Sequence, residues 1–128
     1  MSLLAVDHVN LTIDEGAEAL EQAKRFYGEV LGLGPAVRPE VTESGRPGAW
    51  YACGTQEVHL SAEAGSAERN RATRRHAAFR VADLDSLRAR LAAAGFEPHG
   101  GVQFVGSRRF FVRDPFGNRL EFLERVSD

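Results

Sequence analysis

The strongest constraint on the fold is a pattern of strands, helix and glycines that occurs twice along the chain. A glycine that ends a predicted helix stands at Gly32 and again 63 residues later at Gly95, and the hairpin glycines Gly54 and Gly117 are separated by the same interval. Each half is too short to close a hydrophobic core by itself. The sequence therefore predicts an internal duplication of a βαβββ unit, whose two copies pack together or pair with another chain.

The elements of the first copy follow from hydrophobic periodicity. Residues Val6 to Ile13 alternate apolar and polar side chains, which is the period of a half-buried strand. Residues Ala17 to Leu31 carry apolar side chains at helical spacing, with Gly32 just past their end. A tight turn then joins two short predicted strands, Ala49 to Cys53 and Glu57 to Ser61. Residues 38–42 are the candidate for one more strand.

The same order of elements returns in the second half. A strand is predicted from Arg75, and Asp83 or Asp85 is placed to cap a helix that ends at Gly95. The final predicted hairpin pairs residues 109–113 with residues 118–123. The opening strands are 68 residues apart, from His8 to His76, and the difference from 63 is attributed to loop length.

A length of 128 residues and a hydrophobic content of 43% suit one compact domain. Within it we assign residues 4–62 to module 1 and residues 74–125 to module 2. The connector, residues 63–73, is polar and is predicted to be a solvated loop, with an anion-binding flap as the alternative.

Composition excludes several classes of protein. A single cysteine, Cys53, cannot form an intramolecular disulfide or a cysteine-rich zinc finger. The chain lacks a signal peptide and any apolar run of about 18 residues, so we expect a soluble, cytoplasmic protein that does not span a membrane. A pI of about 6.1 argues against binding of nucleic acid.

The charges of the two halves differ in sign. Residues 1–64 carry 4 basic and 10 acidic side chains, whereas residues 65–128 carry 12 basic and 8 acidic ones. This asymmetry would steer an anionic small molecule toward the second half.

Four side chains suited to metal binding occupy equivalent predicted positions in the two halves. His8 and His76 open the first strand of each half, and His59 in the closing strand of the first half corresponds to Glu121 in the second. Burying several titratable groups together is costly unless a cation compensates. Three imidazoles and one carboxylate suit Fe(II), Ni(II), Co(II), Mn(II) or Zn(II) better than Ca(II). We therefore predict a divalent metal ion that acts as a Lewis acid.

Neighbouring polar side chains on the same strand faces are predicted to bind a small-molecule substrate: Asn10, Thr12, Arg80 and Arg119. His59 and Glu121 are also candidates for catalytic roles. His99, in a glycine-rich loop, fits no such pattern and is expected to be exposed.

Five sequence strings together resemble the vicinal oxygen chelate superfamily, also called the glyoxalase, bleomycin-resistance and extradiol dioxygenase superfamily. The strings are Asp7-His8-Val9, Phe26 to Leu33, Val58-His59-Leu60, His76 to Val81, and Asp114 to Glu121. The resemblance implies an α+β fold in which two βαβββ modules form an open, barrel-like cleft. It also implies that His8, His59, His76 and Glu121 fall at the four positions that the family uses for metal ligands.

The resemblance further implies a metal-dependent enzyme that acts on a small oxygenated metabolite, as an isomerase, a lyase or a ring-cleaving dioxygenase. Paired modules in the family often form dimers, so we expect a homodimer. The alternative is a fosfomycin-type thiol transferase or a drug-binding resistance protein. A non-catalytic binding module with structural histidines is a third hypothesis.

The family resemblance leaves the role of His59 open. Glyoxalase I enzymes usually have glutamate at this position. Thiol transferases and extradiol dioxygenases of the family look like enzymes that bind the metal with only the three positions that match His8, His76 and Glu121. His59 would then be a fourth ligand or a base. Dioxygenase chemistry also requires acid–base residues, and the candidates here are His59, His99, Tyr27 and Tyr51.

Overall fold

A computed structural model describes residues 2–39, 45–100 and 106–125. The chain divides into two units, the first ending at Ala67 and the second beginning at Glu68. Within the described part of the chain, no helix has both the length and the apolar character needed to cross a membrane.

The first unit contains a four-stranded sheet. Its strands lie in the order β1, β4, β3, β2; β1 runs parallel to β4, and the other neighbouring pairs are antiparallel. The strand bounds are His8–Ile13 for β1, Gly34–Pro35 for β2, Gly48–Cys53 for β3 and Gln56–Ala62 for β4. The predicted hairpin is confirmed. The remaining strand of the βαβββ unit is β2 at Gly34–Pro35 rather than at residues 38–42, of which 40–42 lie outside the described residues.

The helix of the first unit changes its winding midway. Helix α1 (Ala17–Lys24) continues as a π-helical segment, Arg25–Val30, in which the Leu31 N–H donates to the Phe26 carbonyl oxygen at 2.9 Å. The adjacent residues Phe26 and Tyr27 of this segment are both buried, at the helical spacing that continues from the buried Ala19 and Ala23. The predicted extent of the helix is thus confirmed, although its second half is not an α-helix.

One face of the four-stranded sheet is apolar and carries much of the core of this unit. Val58, Leu60 and Ala62 of β4 are buried. Gly48 of β3 allows close approach between the strands, because a Cβ atom there would lie 2.0 Å from the Leu60 carbonyl oxygen. Glycine, which has no Cβ atom, is therefore required at this position of the β3–β4 pair.

The second unit repeats this arrangement with three described strands, in the order β5, β7, β6. Strand β5 (His76–Arg80) runs parallel to β7 (Arg119–Arg125), and β6 (Ser107–Arg113) runs antiparallel to it. His99 pairs with Phe111 of β6 through two backbone hydrogen bonds. It therefore lies next to β6, in the same way that β2 lies next to β3 in the first unit. The α+β fold class with two small sheets is confirmed.

Helix α3 (Leu84–Ala93) packs through Leu84, Leu87 and Leu91, which are all buried as its spacing predicted. Asp83 caps the helix, since its side chain accepts a hydrogen bond from the Ser86 N–H at 3.0 Å. Gly95 follows in a left-handed conformation with φ of +90°.

The turn between β6 and β7 is built around a buried carboxylate. Asp114 accepts hydrogen bonds from the backbone N–H groups of Phe116 and Asn118 and from the side-chain amide of Asn118, each at 2.8 Å. This network explains why the turn needs the aspartate and asparagine of the Asp114 to Glu121 string.

The connector differs from its prediction as a loop, because Ser66–Arg71 forms helix α2. The buried Ser66 hydroxyl donates to the backbone carbonyl oxygens of Ile13 and Glu63, so local tertiary contacts order this polar stretch. Composition alone did not reveal these contacts.

Candidate functional site

The face of the first sheet opposite its apolar face carries polar side chains, and we name it the first polar face. Its rows across β1, β4 and β3 follow from the strand register. They are His8, Glu57 and Ala52; then Asn10, His59 and Trp50; then Thr12, Ser61 and Gly48. The two histidines predicted as metal ligands therefore lie on one face, at neighbouring strands.

The imidazole ring of His59 is enclosed between two other rings. Trp50 stacks on it with ring centroids 3.8 Å apart and an interplanar angle of 3°, and His8 stacks at 4.0 Å and 20°. Because the His59 residue is only 7% exposed, its ring edge is the part left for hydrogen bonding.

Carboxylates orient both histidines of the first polar face. Glu57 Oε1 lies 2.8 Å from Nε2 of His59, and Asp7 Oδ2 lies 3.0 Å from Nδ1 of His8. A carboxylate acceptor places a proton on the nitrogen that faces it, which leaves the other ring nitrogen as a lone-pair donor. The lone pair is then on Nδ1 of His59 and on Nε2 of His8.

The second sheet has an equivalent surface, which we name the second polar face. Its rows across β5, β7 and β6 also follow from the register. They are His76, Arg119 and Arg113; then Ala78, Glu121 and Phe111; then Arg80, Leu123 and Arg109. His59 and Glu121 both occupy the middle of a central row, which confirms the predicted equivalence of these positions and of His8 with His76.

His76 and Glu121 form a direct pair on the second polar face. Nε2 of His76 lies 3.1 Å from Glu121 Oε1, and Nδ1 of the same ring lies 3.0 Å from the Arg74 carbonyl oxygen. Nη1 of Arg119 lies farther from the same Nδ1 atom, at 3.4 Å. We assign the Nδ1 proton to the nearer partner, the carbonyl oxygen, which can only accept. Nε2 and the carboxylate therefore face each other as two electron-rich groups, which require a proton or a metal cation between them.

Two arginines lie near the ring of Phe111, beside this pair. The guanidinium carbon of Arg119 is 3.9 Å from the ring centroid and that of Arg109 is 5.3 Å from it. Arg109 also reaches Glu121 Oε1 at 3.5 Å. Burial lowers the pKa of Arg119, and the nearby charges of Arg74 and Arg113 lower it further.

The predicted ligands thus fall into two pairs, one in each unit. Among residues 2–39, 45–100 and 106–125, no group of three or more histidine, cysteine, aspartate or glutamate side chains is arranged to hold a metal ion. The use of all four residues as ligands stays a prediction.

The predicted substrate-binding residues lie on the two polar faces. Asn10 and Ser61 exchange two hydrogen bonds at 2.9 Å and 3.2 Å, and Thr12 lies in the next position of the same face. Arg80 is exposed at the end of β5. Arg119 differs from Arg80 because its side chain is held against Phe111.

Four residues of these faces escaped the sequence analysis: Trp50, Glu57, Arg109 and Phe111. A period-2 pattern gave a signal for Glu57, which stands two residues before His59 and therefore shares its strand face. Arg109 and Phe111 stand two residues apart and also share a face. Their proximity to Glu121 depends on cross-strand register, which the sequence does not state.

The tyrosine candidates for acid–base chemistry belong to the core. Tyr51 pairs with Val58 in the register and so lies on the apolar side of the sheet, where burial raises its pKa. Tyr27 is fully buried in the π-helical segment. His99 is exposed, as predicted, and its ring stacks near Phe111 with centroids 6.2 Å apart.

Comparisons with known proteins agree with this geometry. Residues 5–122 match the family model of the Glyoxalase/Bleomycin resistance protein/Dioxygenase superfamily. A glyoxalase family protein from Bacillus anthracis is 36% identical, with a TM-score of 0.84 and 98% of each chain covered. A search of curated proteins found no match.

Two more distant structures share the fold. Lactoylglutathione lyase from Agrobacterium tumefaciens is 22% identical with a TM-score of 0.67, covering 94% of this chain and 92% of that one. The fosfomycin resistance protein FosX from Listeria monocytogenes is 16% identical with a TM-score of 0.72, covering 98% and 94%.

Proposed function

Since this chain belongs to the glyoxalase/bleomycin resistance protein/dioxygenase superfamily, we propose that it is a divalent-metal-dependent enzyme acting on a small oxygenated metabolite. The observation that carries the proposal is the His76–Glu121 pair, in which Nε2 and Oε1 are 3.1 Å apart. Two ligands about 2.1 Å from one octahedral ion would lie about 3 Å apart, so this spacing suits adjacent metal ligands.

The hydrogen bonds of the histidines support the same conclusion. Metal-binding histidines usually donate their second ring N–H to a carboxylate or a carbonyl, which fixes the tautomer. His76 does so toward the Arg74 carbonyl oxygen, and His8 does so toward Asp7. Both leave Nε2 available, so we assign His8, His76 and Glu121 as the ligands.

His59 is better suited to proton transfer than to metal binding in this arrangement. Its Nε2–H is committed to Glu57, and the stacked rings of Trp50 and His8 cover its two faces. Nδ1 is then the basic atom, and the Glu57 carboxylate stabilises the imidazolium that forms when Nδ1 accepts a proton. We therefore assign His59 as a general base, with Glu57 as its positioning residue.

When bound, the cation would supply Lewis-acid stabilisation of negative charge on a substrate oxygen. Asn10 and Thr12 provide neutral hydrogen-bonding groups on the face that carries His59, and Arg80 and Arg119 provide positive charge on the second polar face. We assign these four residues to substrate binding. Isomerisation, lyase chemistry and ring-cleaving dioxygenation all fit the assignment.

A fosfomycin-type thiol transferase or drug-binding resistance protein is the alternative function. The observation that favours it is the number of arginines on the second polar face, since a phosphonate drug is anionic. Expression of the chain in a susceptible bacterium should raise the tolerated concentration of fosfomycin if this alternative is correct. An unchanged susceptibility would leave metabolite chemistry as the function.

Metal binding is the direct test of the proposed enzyme. Protein purified without added metal is analysed for its elements, then stripped with EDTA and titrated with Ni(II), Co(II), Mn(II), Zn(II) and, without oxygen, Fe(II). Trp50, the single tryptophan, provides a fluorescence readout because it stacks on His59, whose other face is covered by His8.

We expect saturable uptake of about one ion per chain. Loss of groups that merely orient ligands typically weakens metal binding by about 10–100-fold, so the ligand variants His76→Ala and Glu121→Gln should weaken it by at least about 100-fold. His99→Ala is the matched control, because that histidine is exposed and lies outside the proposed ligand set. Absence of uptake, or equal affinity in all four proteins, would refute the proposal.

We also propose that the protein is a homodimer. Sedimentation velocity gives the oligomeric state. Mixing His8→Ala with His76→Ala tests whether ligands from two chains cooperate, because recovered metal uptake in the hybrid requires sharing between chains.

A further inference from the structure

The second polar face has an excess of positive charge. Its three rows carry four arginines and one histidine but only one carboxylate, that of Glu121. The guanidinium of Arg113 donates hydrogen bonds to two backbone carbonyl oxygens, that of Asn70 in α2 and that of Gly117 in the turn between β6 and β7. Arg109 and Arg119 are instead directed over the ring between them, Phe111.

Phe111 holds these two guanidinium groups in place. A guanidinium stacked on a ring gains cation–π stabilisation and keeps its in-plane N–H groups for hydrogen bonds. Nη1 of Arg119 contacts the Arg74 carbonyl oxygen at 3.2 Å, which uses only part of the five N–H donors of that side chain. The same Nη1 atom lies 3.4 Å from Nδ1 of His76, so the other N–H groups of Arg119 can donate to a ligand.

The surroundings of Arg119 carry more positive than negative charge. Arg109 and Arg119 lie over the same ring, and Arg113 stands opposite Arg119 in the strand register, so three arginines share this part of the face. Glu121 is itself shared among His76 at 3.1 Å and Arg109 at 3.5 Å. An anion at this point would relieve the repulsion between the arginines.

We propose that Arg109 and Arg119, whose guanidinium carbons lie over the ring of Phe111, bind an oxyanion of the substrate, either a carboxylate or a phosphoryl group. The inference deepens the proposed function, because it names an anionic substrate for the same site. Paired arginines recognise either group through parallel N–H to oxygen hydrogen bonds. Arg109 is thereby a binding residue that the sequence pattern did not identify.

The test measures binding of inorganic phosphate and of acetate by isothermal titration calorimetry at constant ionic strength, with protein that was stripped of metal by EDTA and then freed of EDTA by gel filtration, because EDTA is itself a polycarboxylate. Metal-free conditions separate this test from the metal titration, so either proposal can fail alone. The variants are Arg119→Gln, Arg109→Gln and Arg119→Lys. Arg88→Gln is the matched control, because Arg88 also lies over a phenylalanine ring, that of Phe110, at 4.9 Å.

We expect saturable binding that each glutamine variant weakens by about 10-fold or more, as for loss of a charge-assisted hydrogen bond. Arg119→Lys should give an intermediate loss, since lysine keeps the charge but not the planar donors. The tighter of the two probes identifies the oxyanion as phosphoryl or carboxylate. No saturation by either probe, or equal weakening by Arg88→Gln, would overturn the proposal.

Discussion

The indole of Trp50 lies flat on the imidazole of His59, with ring centroids 3.8 Å apart and the ring planes within 3° of parallel. An aromatic stack at this distance couples the emission of the indole to the state of the imidazole. Trp50 is the single tryptophan, so intrinsic fluorescence reports on one place in the molecule.

We expect His59→Leu to change the emission intensity and wavelength of Trp50, because the substitution replaces a polar stacked ring with an aliphatic side chain. Steady-state emission spectra of the folded proteins measure this effect. His99→Leu should leave the spectrum unchanged, and a similar change in both variants would contradict the stacked geometry.

Removal of the Glu57 carboxylate should allow His59 to populate both neutral tautomers. In the wild-type protein Nε2 carries the proton because it faces Glu57 Oε1 at 2.8 Å. Imidazole nitrogen shifts, measured by NMR on ¹⁵N-labelled protein, should show a protonated Nε2 in the wild type and a mixture of tautomers in Glu57→Ala. Glu18→Ala, an exposed change on α1, should keep the wild-type pattern. An Nδ1-protonated ring in the wild type would remove the role assigned to Glu57.

Substitution of Gly48 should destabilise the first unit. The added methyl group of Gly48→Ala would meet the Leu60 carbonyl oxygen at 2.0 Å, so β3 and β4 must move apart. We expect a loss of at least about 2 kcal/mol in the free energy of unfolding, the scale of overpacking in a tight interior. Urea denaturation compares this variant with Gly34→Ala, which has open space and should change stability by less than about 0.5 kcal/mol. Equal stability of the two variants would show that the strands are not in close contact.

Removal of the Asp114 carboxylate should destabilise the second unit. Asp114→Ala leaves two backbone N–H groups and the Asn118 amide without their acceptor in a buried turn. Each buried donor without a partner costs about 1–3 kcal/mol, so we expect a loss of at least about 2 kcal/mol. Thermal unfolding should show a smaller loss, about 1 kcal/mol, for the exposed helix cap variant Asp83→Ala. The reverse order would contradict this account of the turn.

The ion pair between Asp85 and Arg108 should give a small acid-dependent contribution to stability. The hydrogen bond and charge of Arg108 lower the pKa of Asp85 below its ordinary value of 3.8. Because the folded-state pKa is the lower one, the contribution is present above the unfolded-state pKa and is lost as pH falls through the folded-state pKa. Urea midpoints measured between neutral and acidic pH should therefore fall less steeply for Asp85→Asn than for the wild type.

Both partners of this pair are exposed, so added salt should reduce the difference between Asp85→Asn and the wild type. Glu97→Gln, at another exposed position, is the control for loss of a surface carboxylate. A steeper acid dependence in Asp85→Asn would mean that the carboxylate does not stabilise the folded state.

Local patterns in the sequence were sufficient to predict much of the fold. The alternation in β1 and β5, the cap at Asp83 and the glycines after the helices depend on residues near each other in the chain, and the structure confirms them. The internal repeat also placed His59 and Glu121 at equivalent positions. These predictions succeed because strand period and helix termination are determined by short-range sterics and burial.

Tertiary structure decided the contacts that give these residues their chemistry. The stack of Trp50 on His59 and the placement of Arg109 and Arg119 on Phe111 join residues of different strands. Such contacts depend on cross-strand register and side-chain rotation, which residues distant in the sequence determine together. The sequence alone therefore specified which side chains could bind or catalyse, and the packed sheets specified their partners.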